Sequence, residues 1–287
     1  MERAAGHLLA DGRLHLTHGP IDLLISADGT DAAREAAFAA AARRFATVLE
    51  ELVAELPALR SVGAGVRGPV ARRMADAVRS HQRRCFVNPM AAVAGAVADE
   101  ILAVMTAAAP LSRAIVNNGG DIALHLAPGA AAKARMALAD GATAGFADIA
   151  ETDGIGGIAT SGRHGRSLSL GIADSVTVLA RSAAAADAAA TLLANAVDLP
   201  GHSAIARVPA ASLDPDSDLG ERLVTTGCGP LTVAEIEEAL AAGLAEARIM
   251  AGEGLIAGAA LFLAGRSQTF GLRLDPAQPR IRELCQE

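Results

Sequence analysis

The strand-like and helix-like stretches of this chain do not alternate, and that order is its strongest constraint. Leu8-Leu9-Ala10, Asp11-Gly12 and Leu14-His15-Leu16 form a hairpin signal, because Asp-Gly supplies the positive φ angles of a tight turn. Ile21–Ser26 follows as a further short strand. Asp31 can cap a long helix to about Leu56, stopped by Pro57. Along it Phe38, Ala42, Phe45, Leu49, Leu52 and Leu56 make one apolar stripe. Hairpins interrupted by long helices do not build a doubly wound parallel sheet. The predicted class is α+β, with mixed or antiparallel sheets packed against helices.

The rest of the chain reads the same way. Pro69 suits the first turn of a helix to about Gln82, and Pro89 opens another from Met90 to about Ala108. Ala114–Val116 and Ile122–Leu126 are predicted strands, as are Arg135–Ala139, Gly145–Ile149 and Ile155–Thr160. Ser175–Ala180 is a strand rich in β-branched residues. Ser182 caps an Ala-rich helix to Val197, ended by Pro200. Residues 209–221 are polar and read as a loop. Thr232 and Glu235 form a capping box for a helix over Val233–Glu246. Arg248–Ala251 and Leu255–Ala264 are expected to close the fold as strands, and no fixed-period repeat is visible.

Composition narrows the function. With 52% hydrophobic residues and a net charge of −7, the chain is too apolar for disorder. It has six Phe, no Trp and no Tyr, and it is acidic, which argues against a nucleic-acid partner. Alanine fills 69 of 287 positions and Lys133 is the only lysine, a pattern read as coding bias. The length fits two domains or one large one. Cys85, Cys228 and Cys285 are far apart and odd in number, as expected of reduced thiols in a cytosolic protein. Cys228 lies in the loop-like run Thr225–Pro230, where a reactive thiol is the second reading. The N-terminus lacks a signal-peptide pattern. Neither Ala91–Pro110, broken by Asp99 and Glu100, nor Gly254–Gly265 has the roughly 18 uninterrupted apolar residues of a membrane span. A cytoplasmic protein with no membrane partner is expected.

Four stretches could carry chemistry. Asn117-Asn118-Gly119-Gly120-Asp121 is either a tight strand–strand turn or a backbone nest for an anion, with Asn amides to read a ring edge. Thr160-Ser161-Gly162-Arg163-His164-Gly165-Arg166-Ser167 is either an exposed polar hairpin or a phosphate cradle with Arg donors. Asp187 and Thr191 share a helix face at i and i+4. They are hard oxygen ligands suited to Mg²⁺, or a solvent-facing Asp and a Thr bonded to its own backbone. Asn88–Asp99 is so small-sided that another helix or a ligand can approach it closely. Arg72, Arg73, Arg79, Arg83 and Arg84 form a basic cluster, read as a solvated face or as a phosphate or partner patch. Gly63-Ala64-Gly65-Val66-Arg67-Gly68 matches GxGxxG, but no clear strand leads into it and no acidic residue follows at the spacing a ribose contact needs, so it reads as a plain connection.

In order and spacing these stretches resemble the ApbE-like superfamily, known for FAD:protein FMN transferases. The matching runs are Asn117–Asp121, Ala159-Thr160-Ser161-Gly162, Ser175-Val176-Thr177-Val178 and Asp187-Ala188-Ala189-Ala190-Thr191. An uncharacterised branch is similar over nearly the whole chain, through Pro89–Ala96 and Gly165–Asp174. The resemblance implies one domain over 1–287, of two intertwined α/β subdomains. The N-terminal hairpin and helices would span about 1–110, the site-bearing core 111–200, the C-terminal helix and strands 201–272, and a peripheral tail 273–287. It implies Mg²⁺ on Asp187 and Thr191, with the carbonyl of Val93 or a neighbour as third ligand. It places FAD, or another flavin or nucleotide, near Asn118-Gly119-Gly120 and Thr160-Ser161-Gly162.

Departures from the transferase pattern matter too. Ala94 stands where the transferases carry Lys, and His164 where they carry Tyr. The segment His-x-x-x-Asp-Pro-x-Thr-Gly is replaced by the shorter Ser167–Asp174. The leading expectation is a Mg²⁺-dependent enzyme acting at the pyrophosphate of FAD or a similar phosphate-containing small molecule, with His164 or Asp174 as base. The alternatives are a non-catalytic flavin- or nucleotide-binding module of a redox complex, and an enzyme of another class on the same scaffold acting on an unrelated small molecule. A homo-oligomer or a redox protein partner is compatible with each.

Overall fold

The structure, a computed structural model, describes residues 3–137, 143–165 and 167–272. The strands are β1 (Ala5–Leu8), β2 (Leu14–His18), β3 (Ile21–Asp28), β4 (Arg113–Asn118), β5 (Asp121–Leu126), β6 (Ala131–Ala137) and β7 (Thr143–Ala150). They continue as β8 (Gly157–Ser161), β9 (Ser175–Ala180), β10 (Ile205–Pro209), β11 (Leu223–Cys228), β12 (Gly258–Leu263) and β13 (Arg266–Phe270). The helices are α1 (Asp31–Ala54), α2 (Leu56–Leu59), α3 (Pro69–Arg79), α4 (Val93–Ala108), α5 (Ala183–Ala196), α6 (Ala210–Leu213) and α7 (Val233–Gly252).

Nine strands form one sheet in the order β1-β2-β3-β4-β5-β8-β9-β12-β13. Every neighbouring pair is antiparallel. The expected α+β class is therefore the observed one. The helices are inserted in two places, between the paired strands β3 and β4 and between the paired strands β9 and β12. Period-two burial orients the sheet. Leu14 and Leu16 of β2 and Ile21, Leu23 and Ile25 of β3 face Ala37, Ala41, Phe45 and Val48 of α1 in one core. Val176, Val178 and Ala180 of β9 face Ala186, Ala189 and Ala190 of α5, with Ala239 and Leu240 of α7, in a second. On the opposite face the β6–β7 hairpin packs Met136, Ala147 and Ile149 against Ile158, Leu179 and Phe262. β9 is thus buried on both faces.

Alanine has a structural use here. A Cβ on Gly95 of α4 would overlap the backbone carbonyl of Ala183 in α5. Only small side chains let two helices approach that closely. The Pro89–Ala108 stretch is long and apolar enough to cross a membrane by composition, but half of its most apolar window is buried inside the protein.

Several boundaries differ from expectation. Thr30 caps α1 by accepting from the Ala33 N–H at 3.2 Å, and Asp31 is the first helical residue. α1 ends at Ala54, and Pro57 lies within the separate turn α2. The third helix ends at Arg79, followed by a 3₁₀ turn at His81–Arg83. Pro89–Ala92 is a 3₁₀ turn, so α4 begins only at Val93. Arg248–Ala251 is not a strand. It continues the buried stripe Ile236, Leu240, Gly243, Ala247 and Met250 of α7, and helical burial overrides its apolar run. Thr225–Cys228 is not a loop but part of β11, paired with β10, and residues 209–221 contain α6. The end of the expected strand Arg135–Ala139 and the tail with Cys285 lie outside the described residues.

Candidate functional site

The turn between β4 and β5 and the crossing of α4 with α5 create one polar cluster in an otherwise apolar setting. Gly119 and Gly120 take φ angles of 65° and 113°, which glycine adopts without penalty. The Gly120 N–H donates to Asn117 Oδ1 at 2.8 Å, closing the turn. Buried Asn118 donates from Nδ2 to the Ala94 carbonyl at 3.0 Å, tying the turn to the first turn of α4.

Asp187 enters from the other side. Its Oδ2 accepts from the Gly95 N–H at 3.0 Å, one of the amides that a helix start leaves unpaired. α4 returns the arrangement. Asp99 accepts from the N–H groups of Ala183 and Ala184, each at 2.9 Å, at the start of α5. Each helix therefore caps the other with a carboxylate. The charges acting on Asp187 are nevertheless negative. Burial pushes its carboxyl well above the usual carboxylate range, and the Asp121 carboxylate pushes the same way, against the hydrogen bonds from Gly95 and Ala94. Burial raises Asp99 as well, opposed by its bonds to Ala184 and Ala183.

Thr191 lies one turn beyond Asp187 on the same face of α5 and is half-buried. Val93 is the first residue of α4. The carbonyl that the turn engages is the next one, of Ala94, and an Asn amide holds it. Among the described residues no group of three His, Cys, Asp or Glu is gathered as a metal cluster. Mg²⁺ does not need one, because it takes one or two carboxylates and fills its octahedron with water and phosphate oxygens.

The second polar stretch is divided. Strand alternation puts Ala159 on the α5 face and Ile158 on the hairpin face, so Thr160 points away from α5 and Ser161 toward it. Thr160 Oγ1 and Thr177 Oγ1 pair at 2.9 Å on the far face. A Cβ on Gly162 would meet the Asp174 carbonyl, and the Arg163 N–H donates to the Ala173 carbonyl at 2.9 Å. Asp174 is a structural anchor. Its Oδ1 accepts from Arg163 at 2.9 and 2.7 Å and contacts His164 Nε2 at 3.3 Å, while Oδ2 accepts from the Ala264 N–H at 2.6 Å. Asp174 precedes β9, whereas α5 begins beyond its far end and folds back. His164, Arg163 and Asp174 thus form a second cluster toward the opposite end of the strand. Cys228 lies in reach of it, its thiol pushed up by burial and drawn down by Arg163. Ser167 is exposed, and Arg166 lies outside the described residues.

Most of the basic cluster and two amides of the glycine motif are occupied internally. Arg73 binds the buried Glu100, Arg84 binds Glu246 and Glu253, and Arg79 pairs with Asp76. In the GxGxxG stretch the N–H groups of Arg67 and Gly68 both donate to Glu55 at 2.6 Å. A carboxylate of the chain already holds those amides.

A family model described as AbpE bacteria matches residues 6–269. The chain belongs to this family, within the ApbE-like superfamily. Among curated relatives, a UPF0280 protein of Methanopyrus kandleri is 36% identical over 186 residues, 61% of this chain and 69% of that relative. A UPF0280 protein of Methanothrix thermoacetophila is 39% identical over 139 residues, 45% of this chain and 52% of the relative. The chain thus spans about half the length of that relative. The crystal structure of Pseudomonas stutzeri flavinyl transferase ApbE, apo form, aligns over 93% of each chain at 15% identity and a TM-score of 0.35.

Sequence reading missed the reciprocal capping and the approach of Asp121 to Asp187. A signal existed for the first. Asp99 is an acidic residue inside an apolar helix, and such a group needs a partner. The second depends on the turn folding back over α4, which no local pattern encodes.

Proposed function

We propose that this member of the family binds a flavin nucleotide or a related phosphate-containing cofactor at the Asn117–Asp121 turn, with a hard divalent cation at Asp187, and acts at the pyrophosphate. One observation carries the reading. Asp187 is a half-buried carboxylate that accepts from the Gly95 N–H at 3.0 Å, and the charges acting on it are those of the Asp121 and Asp99 carboxylates. Such a site is relieved by a cation. Its donors are carboxylate, hydroxyl and carbonyl oxygens, which suit Mg²⁺ rather than a softer ion.

Asp187 would hold the ion, with the Thr191 hydroxyl beside it. Bound there, the ion would neutralise phosphate charge and improve the leaving group. Gly119 and Gly120 keep the backbone of the turn bare, so that a ligand can approach it closely. Asn118 fixes the distance between this turn and the start of α4. Incubation with FAD and Mg²⁺ tests the proposal. FMN release, or FMN transfer to a Ser/Thr peptide, that is lost in Asp187→Ala is the expected result. Absence of both, with no Mg²⁺-dependent FAD binding, would reject it.

A second reading, cofactor binding without turnover, is favoured by Asp174. This candidate base is already committed to Arg163, His164 and Ala264. A bound flavin absorption band without FMN release would select this reading.

A further inference from the structure

We infer that the outer face of the N-terminal hairpin is a binding site for a divalent transition-metal ion, built by His7 and His15 and backed by Asp22. His7 on β1 and His15 on β2 are direct cross-strand partners. His7 Nε2 and His15 Nδ1 lie 3.4 Å apart, and their rings meet nearly edge to face at 81°. That contact is longer than an ordinary hydrogen bond from a nitrogen. It does match the spacing of two ligands on one ion: nitrogens bound tetrahedrally to Zn²⁺ at about 2.0–2.1 Å stand about 3.3 Å from each other.

The remaining nitrogen of His15 strengthens the assignment. Its Nε2 lies 2.9 Å from Asp22 Oδ1 on β3. A carboxylate there accepts a hydrogen bond from Nε2–H, which keeps the proton on Nε2 and leaves the Nδ1 lone pair on the side of His7. This is the outer-shell arrangement that orients metal-binding histidines. Strand pairing holds all three residues, because β1, β2 and β3 are consecutive in the sheet.

Imidazole ligands select Zn²⁺, Ni²⁺ or Cu²⁺ over Mg²⁺. The site is therefore chemically distinct from the oxygen cluster at Asp187. The protein supplies two ligands and solvent completes the coordination, so the ion would keep open positions.

Metal-free full-length protein titrated with Zn²⁺ against a chromophoric chelator tests the assignment. One equivalent is expected, with Asp187→Asn unchanged. His7→Gln and His15→Gln should each weaken binding by about 100-fold, since a single imidazole remains, and Asp22→Asn by about 10-fold. Far-UV circular dichroism of the variants should match the parent. No Zn²⁺ uptake at micromolar metal would overturn the site. So would parent-like affinity in both histidine variants.

Discussion

Asp187 and Asp174 flank the same strand, β9, yet they do opposite things. Asp174 accepts two hydrogen bonds from Arg163, one from the Ala264 amide, and contacts His164. Its charge is neutralised by side chains of the chain itself. Asp187 accepts from backbone amides at the start of α4, and the charges acting on it are those of Asp121 and Asp99. Its charge is opposed by the chain itself. The difference separates an anchor from a site. A carboxylate that the protein has already paired holds loops together. One whose charge is opposed by other carboxylates is the one that the proposed cation site uses.

The largest effect should come from the helix crossing that builds the second environment. Gly95→Val would drive a side chain into the Ala183 backbone, and helix backbone cannot yield as a flexible side chain can. A loss of about 3 kcal/mol or more is expected in urea unfolding, the upper range for overpacking. Gly65→Ala is the internal control, since a Cβ there meets nothing within 4 Å. If both variants unfold alike, the close approach of α4 and α5 is not what makes Gly95 necessary.

Asp174→Ala should follow, at about 2 kcal/mol, because it strips two charge-assisted hydrogen bonds from a half-buried Arg163. Divalent-cation binding should persist. Asp187→Asn should reverse both outcomes. The amide oxygen can still accept from Gly95, and no buried charge remains, so metal-free stability should hold or rise by up to about 1 kcal/mol. Mg²⁺-dependent ligand binding should disappear. Thermal melts with and without Mg²⁺ read both quantities. A destabilised Asp187→Asn that still responds to Mg²⁺ would make Asp187 an anchor like Asp174.

How much of this was legible in the sequence follows the range of the interactions. Local signals carried the hairpin at Asp11-Gly12, the Thr232 capping box, the strand Ser175–Ala180 and the Ala-rich helix, because turn chemistry, caps and period act within a few residues. Asp187 and the Asn117–Asp121 turn stood out for the same reason. What was not legible is what long-range contact decides. The motif Thr160-Ser161-Gly162 reads as one unit, but strand pleating sends Thr160 and Ser161 to opposite faces of the sheet. Asp174 looked like a free base because Arg163 and Ala264 reach it from 11 and 90 residues away. Arg248–Ala251 looked like a strand because its apolar residues are also the last turn of a helical stripe.

Glu235 supplies the smallest and most discriminating test, because it accepts a helix-start amide as Asp187 does, yet hydrogen bonds rather than burial set its pKa. Its Oε2 accepts from the Thr232 N–H at 2.6 Å at the start of α7, and His202 Nε2 lies 2.9 Å from Oε1. The Thr232 amide, and then His202, lower its pKa to about 2, where burial drives Asp187 the other way. A depressed carboxylate pKa means that the ionised form favours the folded state. Its contribution is complete above the ordinary value of 4.5 and fades as pH falls toward about 2. Glu235→Gln should therefore lower the melting temperature slightly at pH 7, and the gap to the parent should close across that acid window. Asp187→Asn should show a gap of the opposite sign, the variant being at least as stable as the parent at pH 7 and losing that advantage as pH falls toward the ordinary 3.8, since its carboxyl is raised rather than lowered. Parallel pH profiles for the two variants would mean that accepting helix amides, and not burial among carboxylates, governs both residues.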